Sequence, residues 1–169
     1  MNRGACVECK SSTPRARQVA LWLAVLAMIC TLAVVLGSFD FRTTRTWSLG
    51  PGMGQGQEDG AAQWAGWTLL AGVPALGALA ISAVALARAP HTRTGDKRRT
   101  AGAFALLAAL LLGVAGTVSG INWMRLIAEQ QRVAEHTLTI TQGLQVALVA
   151  SVVGAGLAVS VFLLALDSR

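Results

Sequence analysis

Four long apolar runs, each without a charged side chain, dominate the pattern of hydrophobic and polar positions along the chain. They occupy residues 18–37, 66–87, 101–121 and 144–166. A helix of about 20 residues rises about 30 Å, which matches the hydrocarbon thickness of a bilayer. The pattern therefore predicts an all-α integral membrane protein, folded as a compact bundle of four transmembrane helices.

The third run differs from the others because its helical pattern continues into a charged segment, residues 123–136. Charged side chains are costly inside hydrocarbon, so this segment belongs outside the bilayer. If the helix continues to His136, it stands about 20 Å clear of the membrane. We therefore expect the third helix to be extended outside the membrane.

Two segments between the runs show the alternation of a β-strand. Residues 39–47 alternate weakly and are rich in aromatic and β-branched side chains, and residues 137–141 alternate Thr with Leu and Ile. Both follow odd-numbered runs and so lie on the same side of the membrane. Neither is stable as a lone strand, so we expect them to pair in a small extracytoplasmic β cap. Residues 50–56 are rich in Gly and predict a flexible turn without strand or helix.

Composition agrees with the membrane class and limits the number of domains. The chain is 54% hydrophobic and 13% charged, whereas a soluble domain has about 25% charged residues. The first run is longer than the 7 to 15 residues of a typical signal h-region, and no Ala-x-Ala site follows it. We therefore expect a retained first span, with a cytoplasmic tail over residues 1–17 and one four-helix transmembrane domain over residues 18–169.

The basic residues predict the orientation. Of the 14 Lys and Arg residues, the two long loops hold only Arg42, Arg45, Arg125 and Arg132. By the positive-inside rule, both termini and the connector of residues 88–100 face the cytoplasm. The basic residues that give the net charge of +6 lie next to the membrane spans. The charge therefore predicts no nucleic-acid partner. The preference for Arg over Lys indicates a high-GC bacterium, and hence the plasma (inner) membrane.

The four runs contain no ionisable side chain, which disfavours proton relays and ion-coupled transport. They do contain ridges of small residues, which let helix backbones approach closely. We expect these ridges to pack the third span against the fourth, and a homodimer seam is the alternative use. The glycines assigned to helix packing are Gly113, Gly116, Gly120, Gly154 and Gly156.

A CxxC motif in the tail, formed by Cys6 and Cys9, is the one metal-type signal. Tetrahedral zinc needs four ligands, and the tail offers no second pair. Two chains, or one chain and a partner, would complete a zinc site; redox chemistry and inert thiols are the other interpretations. The chain shows no catalytic set, so no catalytic residue and no other cofactor is predicted.

The outer face carries most of the tryptophans and a charged helix surface. Trp64 and Trp67 stand at a predicted interface, where Trp commonly anchors a helix, although they would also suit a binding groove. Together with the exposed charges of the third helix, they form the predicted partner surface. Its residues are Trp47, Trp64, Trp67, Trp123, Arg125, Glu129 and Arg132.

Four spans with a longer first outer loop resemble the claudin-like tetraspan proteins in outline, but that loop lacks the family's Gly-Leu-Trp and paired-Cys pattern. The layout is also similar to small four-span proteins of high-GC bacteria. Neither resemblance supplies a mechanism. The expected role is a non-enzymatic scaffold or accessory subunit of a membrane complex, with the bilayer and a membrane protein or second copy as partners. A small transporter or channel and a membrane-bound enzyme are the alternatives.

Overall fold

Four long helices make up most of the computed structural model. It describes residues 14–39, 42–48, 55–61, 65–88, 96–132, 136–140 and 142–167. The helices are α1 (Pro14–Phe39), α2 (Ala65–Arg88), α3 (Asp96–Arg132) and α4 (Gln142–Asp167). Each is long and apolar enough to cross a membrane, and each contains one of the four predicted spans.

Two helices begin earlier than the apolar runs that they contain. Helix α1 begins at Pro14, inside the segment assigned to the tail, and α3 begins at Asp96, inside the basic connector. Pro suits the first helical turn because the N–H that it lacks would have no partner there. Arg and Lys are good helix formers, so the helices extend through basic residues that the hydrophobic pattern leaves out. Helix α3 has 37 residues and is therefore about 55 Å long.

The helices form a closed ring in which each one packs against two neighbours. Helices α1 and α3 both pack against α2 and against α4. Contacts between helices that are adjacent in sequence join opposite ends: Ser38 near the end of α1 meets Thr68 near the start of α2, and Gly102 near the start of α3 lies beside Ala165 near the end of α4. Neighbouring helices are therefore antiparallel, and the bundle has two distinct ends.

Small side chains fill the interior of the bundle, and large ones cover its outside. Most of the buried apolar residues are alanines, with Leu79 and Leu112 as the largest fully buried side chains. Leu, Ile and Val side chains on every helix are exposed instead. Some buried hydroxyls bond to backbone of their own helix, as when Thr31 Oγ1 donates to the Ala27 carbonyl at 2.7 Å. Close packing of small residues, rather than burial of large ones, brings these helices together.

Three strands from the segments that connect the helices form one antiparallel sheet. They are β1 (Arg42–Ser48), β2 (Gln55–Ala61) and β3 (His136–Ile140), in the order β2-β1-β3. Thr44 stands opposite Asp59 of β2 and opposite Thr139 of β3. The pairing of β1 with β3 is the one that the alternating segments predict. Strand β2 was not predicted, and it corrects the expectation of a strand-free turn at Gln55 and Gly56.

Candidate functional site

The end of the bundle that holds the start of α1 and the end of α2 is basic. Antiparallel packing also brings the start of α3 and the end of α4 to this end. We call it the basic end. The Lys and Arg residues that the structure describes there are Arg15, Arg17, Arg88, Lys97, Arg98 and Arg99. Charge that is scattered over the tail and the connector in sequence is thus gathered at one end of the fold.

Arg17 links two helices at the basic end. Its Nε donates to the carbonyl of Leu86 at 3.1 Å, and one terminal nitrogen donates to the carbonyl of Ala87 at 3.0 Å. These carbonyls belong to the last turn of α2, where no intrahelical N–H remains to bind them. A cation is also favoured at the negative end of the helix dipole. Arg17 therefore caps α2 and ties it to α1.

A groove of about 440 Å³ opens between α2 and α3 at the basic end. Its residues are Ala80, Ile81, Val84, Ala85, Arg88, Lys97 and Thr100. The α2 wall is apolar, and Arg88 and Lys97 stand at the rim. Beside the groove, Ser82 Oγ donates to the carbonyl of Ala101 at 2.9 Å, which joins the two helices inside the bundle. The groove thus combines a fixed apolar wall with two cations, a composition that suits an amphiphilic anion.

The opposite end, which we call the sheet end, has polar groups in its interior. Ser38 and Thr68 share a buried hydrogen bond of 2.8 Å, and Ser38 Oγ also donates to the Val34 carbonyl at 2.7 Å. Ser119 is fully buried, and its hydroxyl has no hydrogen-bond partner within the described ranges of the chain. Asn122 is buried one turn further along α3. Buried polar groups are usually bonded, so Ser119 is an exception.

Two of the three glycines assigned to packing on α3 lie at the contact with α4. A Cβ atom built on Gly116 would lie 2.9 Å from Ser151 Oγ, and one on Gly120 would lie 3.7 Å from Leu148 Cδ1. Gly154 of α4 faces two helices, because its Cβ would lie 3.2 Å both from Cys30 Cβ of α1 and from Leu112 Cδ1 of α3. Gly116 and Gly154 therefore have the close approach that small residues allow, whereas a Cβ on Gly120 would make an ordinary van der Waals contact.

The other two assigned glycines are oriented differently. Gly113 and Gly156 are exposed, and a Cβ on either would meet nothing within 4 Å. They do not bring helices of this chain together, because each lies on a ridge that turns away from the neighbouring helices. The tightest approach is at a glycine that the ridge pattern missed: a Cβ on Gly37 would lie 2.8 Å from the carbonyl oxygen of Gly143. Gly37 lies near the end of its run, where Ala33 is the one small residue at i, i+4 spacing from it.

The predicted partner surface lies at the sheet end where the structure describes it. Trp67 is 60% exposed in the first turn of α2, Trp123 is half-buried and Arg125 is exposed. Trp47 lies in β1, opposite Gly56 and His136. Glu129 and Arg132 continue α3, and Trp64 lies outside the described residues.

Two exposed apolar side chains join this surface, although sequence reasoning did not assign them to it. Met124 is 66% exposed and Ile127 is 37% exposed. Both follow Asn122, in the part of α3 that exceeds the length needed to cross a bilayer.

The predicted metal site lies outside the part of the chain that the structure describes. Cys6 and Cys9 lie outside the described residues. Among the residues that are described, no three His, Cys, Asp or Glu side chains form a group that could hold a metal ion. The features with positioned chemistry are therefore the basic groove and the sheet end.

Comparisons with known proteins supply no relative. No family model matches the chain, and no curated protein and no solved structure is detectably similar to it. The function must therefore be argued from the structure and chemistry of this chain.

Proposed function

We propose that this chain is a multi-pass protein of the plasma (inner) membrane that serves as a non-enzymatic scaffold or accessory subunit of a membrane complex. The observation that carries the membrane location is the inverted distribution of side-chain size. Leu110, Val149 and Leu163 are each more than half exposed, whereas the interior is mostly alanine. Monomeric soluble proteins rarely expose large contiguous apolar patches, and lipid would cover these side chains without cost.

The proposed orientation places the basic end in the cytoplasm. The six cations gathered there follow the positive-inside rule, and the sheet end carries fewer. Both chain termini then lie in the cytoplasm, and the sheet lies outside. Helix α3 is longer than a bilayer requires, so its last turns would stand beside the sheet.

Cysteine labelling in intact cells tests this orientation. In a background with Cys6, Cys9 and Cys30 replaced by Ser, single cysteines are introduced as Ser48→Cys at the sheet and Arg99→Cys at the basic end. A membrane-impermeant maleimide should label the first in intact cells and the second only after the membrane is opened. Labelling of Arg99→Cys from outside would overturn the orientation, and carbonate extraction of the chain would overturn the membrane location.

The scaffold role is supported by the interior and by the sheet end. The interior is packed with small apolar residues, and the described Ser and Thr hydroxyls within it are mostly bonded to backbone of their own or neighbouring helices. Such an interior does not suit a polar path for a transported solute. At the sheet end, Trp67 and Met124 present apolar surface close to the level of the interface, and exposed aromatic and Met side chains are common anchors at protein interfaces.

A pull-down in mild detergent tests the scaffold role. The tagged chain should recover a membrane-protein partner in a fixed stoichiometry, and Trp67→Ala combined with Met124→Ala should lower that recovery. The matched control is Trp22→Ala, because Trp22 is similarly exposed, at 67%, but lies toward the basic end. A chain that is recovered alone and conducts ions or solutes in liposomes would reject the scaffold role in favour of a transporter or channel.

A further inference from the structure

We propose that the groove between α2 and α3 at the basic end is a binding site for one anionic phospholipid. The proposal rests on the membrane location proposed above, and it adds a ligand class and a site. The headgroup would lie between Arg88 and Lys97, and the first part of an acyl chain would lie along Ile81 and Val84.

The apolar wall has the length and the exposure that an acyl chain needs. Ile81 and Val84 are each 48% exposed, and they lie on one face of α2 below Arg88. From Ile81 to Arg88 the helix rises about 10 Å, which is enough for several methylene groups. Burying this wall against a lipid chain requires no rearrangement, because Ser82 already joins α2 to α3 through its hydrogen bond to Ala101.

The rim has the charge that a phosphate needs. Arg88 ends the candidate span of α2, and Lys97 begins the candidate span of α3, so both lie at the depth of lipid headgroups. Among the described residues, those that line the groove include these two cations and no acidic side chain. Lys97 also lies in the first turn of α3, at the positive end of the helix dipole, which favours an anion.

The end of α2 would oppose an anion if its carbonyls were free. Arg17 prevents this, because it donates to the carbonyls of Leu86 and Ala87. A third cation therefore neutralises the negative helix end beside the groove without occupying it. Basic pockets between transmembrane helices on the cytoplasmic side are a known setting for anionic headgroups, and this groove meets the same chemical requirements.

Native mass spectrometry of the full chain in detergent tests the site. The lipids are phosphatidylglycerol and phosphatidylcholine with identical acyl chains, which differ in net charge. We expect one phosphatidylglycerol to be retained per chain and phosphatidylcholine to be retained far less. Arg88→Gln combined with Lys97→Gln should weaken phosphatidylglycerol binding about 10- to 30-fold, as the loss of two cations near a headgroup implies.

Two matched controls separate a site from general charge and general surface. Arg15→Gln combined with Arg99→Gln removes two exposed cations from the same end but outside the groove, and it should change binding less than about 3-fold. Val84→Trp fills the groove without changing charge, and it should weaken binding as well. Val153→Trp, on the exposed face of α4, should not.

Equal losses in the two charge variants, or equal retention of the two lipids, would overturn the proposal. So would full binding in Val84→Trp. Each variant is first shown to keep its helical content and its monodispersity in detergent. Carbonate extraction of the same membranes is run in parallel: a chain that stays in the membrane but shows no lipid preference rejects the site alone, whereas an extracted chain rejects the membrane location itself.

Discussion

The two ends of the helical bundle are built differently, although the same four helices supply both. At the basic end six described cations are gathered, and Arg17 joins α1 to α2 through hydrogen bonds to carbonyls in the last turn of α2. At the sheet end the described part of the bundle buries a group of neutral polar side chains, which includes Ser38 and Ser119. The segments beyond that end add a three-stranded sheet.

This difference concerns how polar groups are satisfied at each end of the bundle. The charged groups of Lys and Arg can be solvated by water or can contact lipid headgroups. The cations at the basic end therefore do not require protein to cover them. The backbone N–H and C=O groups of a strand need hydrogen-bond partners. At the sheet end, segments that are far apart in sequence supply these partners to one another. Among the described residues, the pairing of strands that are distant in sequence is found at the sheet end, where Trp67 and Met124 are also exposed.

The strongest way to break this comparison is to disrupt the sheet at its central strand. Thr44 lies in β1 between two partners, so its N–H is directed to either β2 or β3, and Pro removes it. Thr44→Pro should abolish protection from hydrogen exchange in β3, which is about 90 residues away in sequence, while the helices keep theirs. Thr44→Val retains the N–H and the branched shape, so it should leave protection unchanged. Normal protection of residues 136–140 in Thr44→Pro would show that the sheet is not one unit.

The next largest effect is expected on stability, when Gly→Ala substitutions at different positions are compared. A Cβ on Gly37, near the sheet end, would lie 2.8 Å from the backbone oxygen of Gly143, which cannot turn away. We expect Gly37→Ala to lower the free energy of unfolding by about 1 to 3 kcal/mol, because α1 and α4 must separate. Gly102→Ala at the basic end meets Ala165 Cβ at 3.3 Å and should cost less.

Gly77→Ala is the control, since a Cβ there meets nothing within 4 Å and Ala is the better helix former. It should be neutral or stabilising in the same detergent unfolding titration. Equal stability of Gly37→Ala and Gly77→Ala would mean that the close approach of α1 and α4 does not exist.

The four helices could be predicted from the sequence because hydrophobic length alone determines them. A run of about 20 uncharged apolar residues has few alternatives to forming a membrane-spanning helix. The pairing of β1 with β3 was predictable for a similar reason, since alternation marked both segments. Strand β2 could not be found this way: Gln, Gly, Glu and Asp have low strand propensity, and the strand depends on backbone pairing with β1.

The packing glycines were only partly predictable, because spacing places small residues on one ridge without showing where that ridge faces. Gly113 lies on such a ridge and is exposed, while Gly116 on the neighbouring ridge meets Ser151. The groove between α2 and α3 had no sequence signal, because Val84 and Lys97 become neighbours only when α2 and α3 pack. The cap that Arg17 provides was missed for the same reason, since its carbonyl partners are about 70 residues away.

Removing the Arg17 cap should give a smaller effect that sharpens the description of the basic end. Arg17→Gln loses two charge-assisted hydrogen bonds and a favourable dipole interaction at a partly exposed position, so we expect a loss of about 1 kcal/mol in unfolding free energy. Arg15→Gln removes an exposed cation from the same turn and should change stability by less than about 0.5 kcal/mol. If both variants lose equal stability, total charge rather than the cap stabilises this end.

The smallest predicted effects test the interior of the sheet end, and they differ in sign. Ser38→Ala removes a buried bond shared with Thr68, so it should lower stability by about 0.6 to 1 kcal/mol, the usual value for such bonds between membrane helices. Ser119 Oγ is buried, and no partner for it lies among the described residues, so Ser119→Ala removes a desolvated group without breaking a bond. It should be neutral or stabilising by up to about 1 kcal/mol. Both are the same substitution at the same end of the bundle, so helix propensity and side-chain volume cancel in the comparison. Detergent unfolding of the two variants side by side measures the difference, and a clear loss of stability in Ser119→Ala would show that its hydroxyl has a partner after all.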